Sequence, residues 1–237
     1  MYSFADWNTI PESSDTKKEI GLKMRFWMRS YHLLYLWLWL ILRIINAEFS
    51  RMTEDEIRKE QEIVERSKKD AKAFGELYEK YFDRIFNYIY RQTDDEELAG
   101  DLCSQTFINA LNNLTRYEFR GLPFSAWIYK IAGNEVNKHY RKNKGKKVFS
   151  IEELKVKELV ERADEGWDEE LITKLIDFMK DLPTDMLQVL ELRFFEDKDF
   201  KEIAFILDIT ESGAKMRTYR ALDKLRKNFN IKVKYDE

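Results

Sequence analysis

Between Phe119 and Asn134 the chain reads Phe-Arg-Gly-Leu-Pro-Phe-Ser-Ala-Trp-Ile-Tyr-Lys-Ile-Ala-Gly-Asn, side chains suited to an opened nucleic-acid strand. Phe119, Phe124, Trp127 and Tyr129 offer faces on which unstacked bases can lie, and Asn134 and Asn137 offer amides that pair with base edges. The residues that follow turn basic, with Lys138, Arg141, Lys142, Lys144, Lys146 and Lys147 placed to hold phosphates. A second stretch, from Phe200 to Arg220, has the order of a helix-turn-helix. Ile203, Ala204 and Leu207 face inward, Asp208-Ile209 makes the turn with Ile209 plugging the core, and Ala214 is the small inward residue of the second helix. Lys215, Arg217, Tyr219 and Arg220 are left to project into a major groove. One device suits single strands, the other duplex.

These residues need helices to position them. From Ala71 to Arg91, Phe74, Leu77, Tyr78, Tyr81, Phe82, Ile85, Phe86 and Ile89 recur at helical spacing, the face of a core helix. Thr93-Asp-Asp-Glu-Glu97 supplies a turn and an acidic helix start. The next helix runs to about Leu114, with Leu98, Leu102, Phe107, Ala110, Leu111 and Leu114 as its expected buried set. Thr115 to Pro123 reads as a loop, and Pro123 fits the first turn of the helix bearing Trp127 and Tyr129, which should end near Lys144-Gly145. Trp127 is assigned to the core. Phe149 to Asp168 is rich in Glu and Lys and reads as a linker. Beyond it, Leu171, Leu175, Ile176, Phe178 and Met179 form the stripe of a helix stopped by Leu182-Pro183. Thr184 is the expected N-cap of Met186 to Phe195, Asp199 that of Phe200 to Leu207, and Thr210 or Ser212 that of a last helix reaching Phe229.

The fold expected is all-α: two small helical domains joined by a flexible linker. The boundaries are 67–147 for the first domain, 148–168 for the linker and 169–229 for the second. Three Pro and eight Gly in 237 residues leave little turn material for a sheet-rich fold. A net charge of -3 argues against an indiscriminate polyanion binder. Local basic patches on an acidic chain imply weak intrinsic DNA affinity, so a partner would deliver it. The single Cys103 excludes an internal disulfide, fits a reducing compartment and reads as a small buried hydrophobe. With two histidines and one cysteine no common zinc site is expected, and no cofactor is either.

Residues 1–51 stand apart. Leu33 to Leu42 is an apolar run behind Lys23, Arg25 and Arg29, shorter than the ~20 residues a spanning helix needs. It admits three readings: translation starting at Met52, membrane contact through residues 24–45, or a helix that docks on the body.

With these residues in place, the chain resembles the sigma-70 family, in its small two-domain extracytoplasmic-function group. Asp101-Leu-Cys-Ser-Gln-Thr-Phe107 resembles the family's Asp-Leu-Val-Gln-Glu-Thr-Phe, with Ser104 and Gln105 where Gln-Glu is usual. Phe119-Arg-Gly with Phe124-Ser-Ala-Trp-Ile-Tyr-Lys-Ile-Ala132 and Asn134 resembles the region-two strand-opening segment. Leu182-Pro183, Val189 to Phe195 and Glu211 to Leu225 resemble region four, with Met216 where Ser is frequent. The resemblance implies a cytoplasmic promoter-specificity subunit with no catalysis of its own. Asp101, Leu102, Gln105 and Phe107 would bind core RNA polymerase. Phe119, Arg120, Asn134, Asn137, Lys138 and Arg141 would take the minus-ten promoter DNA. Ser212, Lys215, Arg217, Tyr219 and Arg220 would read the minus-thirty-five element. An anti-sigma factor is a further partner that the resemblance admits. The competing class is a helix-turn-helix regulator whose N-terminal helices sense a ligand or dimerise. An enzyme is not expected, because no Gly-rich phosphate loop occurs and Cys103 has no neighbouring His.

Overall fold

The computed structural model describes residues 52–143, 156–157 and 169–235, all within one compact unit. The expectations for the apolar N-terminal run and for nearly all of the linker lie outside these residues. Every regular element among the described residues is helical: α1 (Glu54–Lys69), α2 (Phe74–Thr93), α3 (Glu96–Asn113), α4 (Phe124–Asn143), α5 (Glu169–Lys180), α6 (Thr184–Leu190), α7 (Phe200–Leu207) and α8 (Glu211–Tyr235). Helix α6 runs on into a π-helical turn, Glu191–Phe195.

Helices α2, α3 and α4 pack on one another, with α1 laid against α2. Leu77, Tyr81, Ile85, Tyr88 and Ile89 of α2 meet Ile128, Tyr129, Ala132 and Val136 of α4 in a core closed to water. Tyr88 and Tyr129 cross edge to face, ring centroids 5.0 Å apart. Gly133 makes that approach possible, since a Cβ there would stand 3.3 Å from the Tyr88 hydroxyl. On α3, Leu102, Phe107, Ala110 and Leu114 are buried as expected, and the face departs from the expected one elsewhere. Leu111 is 37% exposed, while Ala99, Cys103 and Thr106 are buried. These small side chains set the contact line, and Thr106 satisfies its hydroxyl by donating to the Leu102 carbonyl at 2.7 Å. Buried Cys103 has its thiol pushed up to about 12 by desolvation, which makes it the inert hydrophobe expected of it.

The helix starts follow side-chain chemistry. Asp95 caps α3 by accepting from the Leu98 N–H at 3.0 Å, and the chain enters through Asp94 in the left-handed region at φ 53°. Asp199 caps α7 in a reciprocal box with Glu202. Thr210 caps α8 by accepting from the Gly213 N–H at 3.0 Å. Thr184 does not cap. It is the first residue of α6, and Pro183 precedes it with no side-chain bond, because its fixed φ already suits a helix entry.

Helix α1 was not expected from the sequence. Thr53 and Glu56 form its capping box, and its buried residues are Glu60, Val64 and Ser67. The buried Glu60 carboxylate accepts from the Phe124 N–H at 2.9 Å, from Lys80 Nζ at 2.8 Å and from the Tyr81 hydroxyl. It thereby supplies α4 with the N-terminal acceptor and negative charge that this helix end favours.

Candidate nucleic-acid interface

Glu60 and Pro123 fix where α4 begins, and α4 carries most of the single-strand device. Asn134, Asn137, Lys138 and Arg141 are all exposed along it, and Phe119 and Arg120 are exposed on the loop before it. Phe119 is 48% exposed, unusual for a side chain with a core at hand. Gly121, at φ +71°, turns this loop in a conformation L side chains resist. Asn134 lines an open cavity of ≈ 490 Å³ together with Asn109, Asn113, Arg116, Trp127 and Glu135. The cavity is polar and amide-rich, with Trp127 as its aromatic wall. Trp127, expected in the core, is only half-buried and leans on Tyr117 and Phe124 at 4.9 and 5.4 Å. Tyr129, two residues on, is wholly buried.

Sequence reasoning missed Asn109 and Asn113. They sit on α3 where it faces α4, so no local motif contains them. Asn109 donates to Glu135 at 3.0 Å and accepts from Gln105 at 3.0 Å, which fixes its amide at the cavity wall. Asp101 and Gln105 are exposed on α3, whereas Leu102 and Phe107 are buried. The two apolar residues therefore shape the helix from inside, and only the polar pair offers surface to a partner.

In the second bundle α7 and α8 form the two helices of the turn, and Asp208 at φ 57° makes the corner. Ile203, Ile206 and Ala214 are buried. Leu207, expected inward, is half-buried, and Ile206 takes the core position. Thr218 is also buried, its hydroxyl donating to the Ala214 carbonyl at 2.9 Å. Ser212, Lys215, Tyr219 and Arg220 project outward and Arg217 is half-buried. Two of these cations are held by acids: Lys215 by Glu211 at 2.7 Å and Arg217 by Asp185 at 3.4 Å. Lys215 also holds the Glu211 carboxyl below its ordinary range.

Residues 77–146 match the family model for Sigma-70 region 2, and residues 178–227 match the model for Sigma-70, region 4. The chain belongs to the sigma-70 family. The region-two match occupies the helices that a conventional regulator would use for sensing or dimerisation, so that reading is not favoured. Among curated relatives, the extracytoplasmic-function sigma factor BldN of Streptomyces coelicolor is 31% identical over 167 residues, covering 69% of this chain and 63% of BldN. The chain thus spans less than two thirds of that relative. SigM of Bacillus subtilis is 26% identical over 157 residues, covering 65% of this chain and 94% of SigM. Two solved structures share the fold. CnrH, in complex with the cytosolic domain of CnrY, has a TM-score of 0.52 at 18% identity, covering 73% of this chain and 97% of that one. RpoE of Bartonella quintana, in complex with the anti-sigma factor NepR, has a TM-score of 0.51 at 16% identity, covering 68% and 98%.

Proposed function

We propose that this chain is an extracytoplasmic-function sigma factor that binds core RNA polymerase, recognises minus-thirty-five and minus-ten promoter elements and helps to open the duplex. It has no catalytic chemistry of its own and acts in the cytoplasm. No helix among the described residues is long and apolar enough to cross a membrane, which agrees with that placement. The cavity beside Asn134 is the observation that carries the strand-opening role. A base that leaves the stack needs an aromatic wall and an edge reader, and Trp127 with the amides of Asn134, Asn109 and Asn113 offers both. Lys138 and Arg141, further along α4, follow the strand's phosphates, and Phe119 packs against the extruded base. Asp101 and Gln105 meet the polymerase clamp. Ser212, Lys215, Arg217, Tyr219 and Arg220 read the upstream duplex. An anti-sigma factor is the regulatory partner that fits such a chain, as CnrH and RpoE were each solved with a bound partner.

The test is Asn134→Ala in reconstituted transcription with core polymerase, on a promoter selected from a random fragment library. Unpairing costs a few kcal/mol that base capture must offset. The variant should bind polymerase and form closed complexes normally but lose open complexes, read by permanganate, on paired DNA. A template mismatched across the minus-ten element should restore part of the loss. Normal opening on both templates would remove Asn134 from the site.

A further inference from the structure

Helix α2 has two faces outside its own core, and they differ in chemistry. On the first, Arg91 is buried with its Nε 3.0 Å from a Glu191 carboxylate oxygen, and Glu196 bonds both Arg91 and the Tyr129 hydroxyl. Arg84 lies 3.8 Å from Glu196, and Lys198 donates to Ser125 Oγ at 2.9 Å. Region four occupies that side. The second face carries Tyr78, Phe82, Phe86 and Tyr90, one ring per turn, with successive centroids 5.1, 6.2 and 6.3 Å apart. Tyr78 is 40% exposed and the other three are half-buried. Helix α3 borders this stripe through Phe107, whose ring lies 4.8 Å from Tyr78 and 6.3 Å from Phe82. A continuous aromatic stripe open to water marks a place where another surface binds.

The rim of the stripe is acidic. Glu79 and Asp83 flank it on α2, and Glu97 and Asp101 stand one turn apart on the exposed face of α3. None of the four forms an ion pair among the described residues. Helix α3 has no cation between Glu96 and Asn113, and the three cations of α2 are turned away, Lys80 to Glu60 and Arg84 and Arg91 to region four. The same chain holds a complementary piece. Leu33 to Leu42 is an apolar run, with Lys23, Arg25 and Arg29 before it and Arg43 after it. We propose that residues 33–42 cover the aromatic stripe of this same chain, their basic flanks against its acidic rim, and that core polymerase must displace them to reach Asp101.

The lengths agree. From Tyr78 to Tyr90 the stripe runs about 18 Å, and ten residues wound as a helix reach about 15 Å. Helix α1 runs antiparallel to α2, since Arg66 meets Glu76 at 3.0 Å and Glu60 meets Lys80 at 2.8 Å. Its start at Glu54 is thus roughly level with Phe86. Residues 43–53 can span up to about 35 Å, enough to pass around α2 from there to the stripe. Charge selects this occupant over two others. A second copy of the stripe would bring the same four carboxylates face to face, and an anionic lipid surface would meet them with like charge. The competition with polymerase rests on the proposed function, because Asp101 is the clamp contact in that reading.

Photo-cross-linking of the full chain tests this. Tyr78→p-benzoylphenylalanine, irradiated in dilute solution, should give an adduct within one chain whose cross-linked peptide lies in residues 33–42. Leu36→Asp/Leu40→Asp, placed outside the helical body, should abolish that adduct, and Glu79→Lys/Asp83→Lys should weaken it. If the segment covers the face about nine-tenths of the time, Leu36→Asp/Leu40→Asp should bind core polymerase about tenfold more tightly than the wild type in a titration. An adduct elsewhere, an adduct between two chains, no adduct, or one that persists in Leu36→Asp/Leu40→Asp would each overturn the docking. So would a cellular product that begins at Met52, or loss of the adduct as the chain floats with phosphatidylglycerol vesicles. Unchanged polymerase affinity in a variant that has lost the adduct would overturn the competition. Failure of every form to bind polymerase would instead contradict the sigma-factor reading, and the adduct would still judge the docking.

Discussion

Glu60 offers the sharpest test of how α4 is held. Its Oε1 accepts from Lys80 and Tyr81, and its Oε2 accepts from the Phe124 N–H. Burial, and then the Glu60 charge, drive the Tyr81 phenol far above its ordinary range, so it stays a neutral donor. Glu60→Ala strands two buried donors, each costing about 1–3 kcal/mol. The pair with Lys80 adds little, because that ammonium is 43% exposed and screened. The expected loss is therefore about 3–5 kcal/mol, a large share of the 5–15 kcal/mol typical of a whole domain. Glu60→Gln should cost only about 1 kcal/mol. Its carbonyl can take the Phe124 N–H while its amide faces Tyr81, whose hydroxyl turns to accept. Urea melts followed by circular dichroism measure both. If Gln is as damaging as Ala, the negative charge rather than the acceptor geometry holds α4. An Ala variant costing under 1 kcal/mol would show that the cap contributes nothing.

Asp101→Arg should weaken assembly with core polymerase in a titration while leaving helical content unchanged, since Asp101 is exposed and makes a charge contact if the clamp surface there is basic; undiminished assembly would take this face out of the interface. Lys215→Ala and Arg220→Ala should each cost on the order of 1–3 kcal/mol in promoter binding if they touch bases. If they touch phosphate instead, they should lower the salt slope by about 1. Normal initiation by both at a promoter that needs its upstream element would refute the recognition-helix assignment. Cys103 should react with iodoacetamide at pH 8 roughly a thousandfold more slowly than an exposed thiol, because little thiolate forms when its proton is held up to about 12; rapid labelling of the folded chain would mean that α3 opens locally.

The helices and the exposure of the proposed DNA-contacting side chains were legible in the sequence because they rest on local rules. Asp95, Asp199 and Thr210 cap where a short polar side chain precedes a periodic run. Asn134 and Lys215 are exposed because they fall off the apolar stripes of α4 and α8. What was not legible depends on partners distant in sequence. The α3 face takes in Ala99 and Thr106, small residues that hydrophobicity ranks below the exposed Leu111. Helix α1 buries Glu60 and Ser67 beside Val64, so few apolar residues mark its inner face, although the Thr53–Glu56 box marked its start. Asn109 joins Asn134 only through the crossing of α3 and α4. Glu191 and Lys198 are buried beside Arg91 and Ser125, which lie 100 and 73 residues away in the sequence.

That pairing also bears on how the chain is made. Asn143 leaves the ribosome about 50 residues ahead of Glu196, an interval of roughly 3–10 s at ordinary rates of synthesis. Throughout it, the half of the contact already made carries Arg84, Arg91, Ser125 and the Tyr129 hydroxyl, groups that water solvates well. An apolar seam in the same place would have been a sticky patch on every nascent chain. Joining the bundles by ion pairs lets the first half wait in water for the second without recruiting its neighbours.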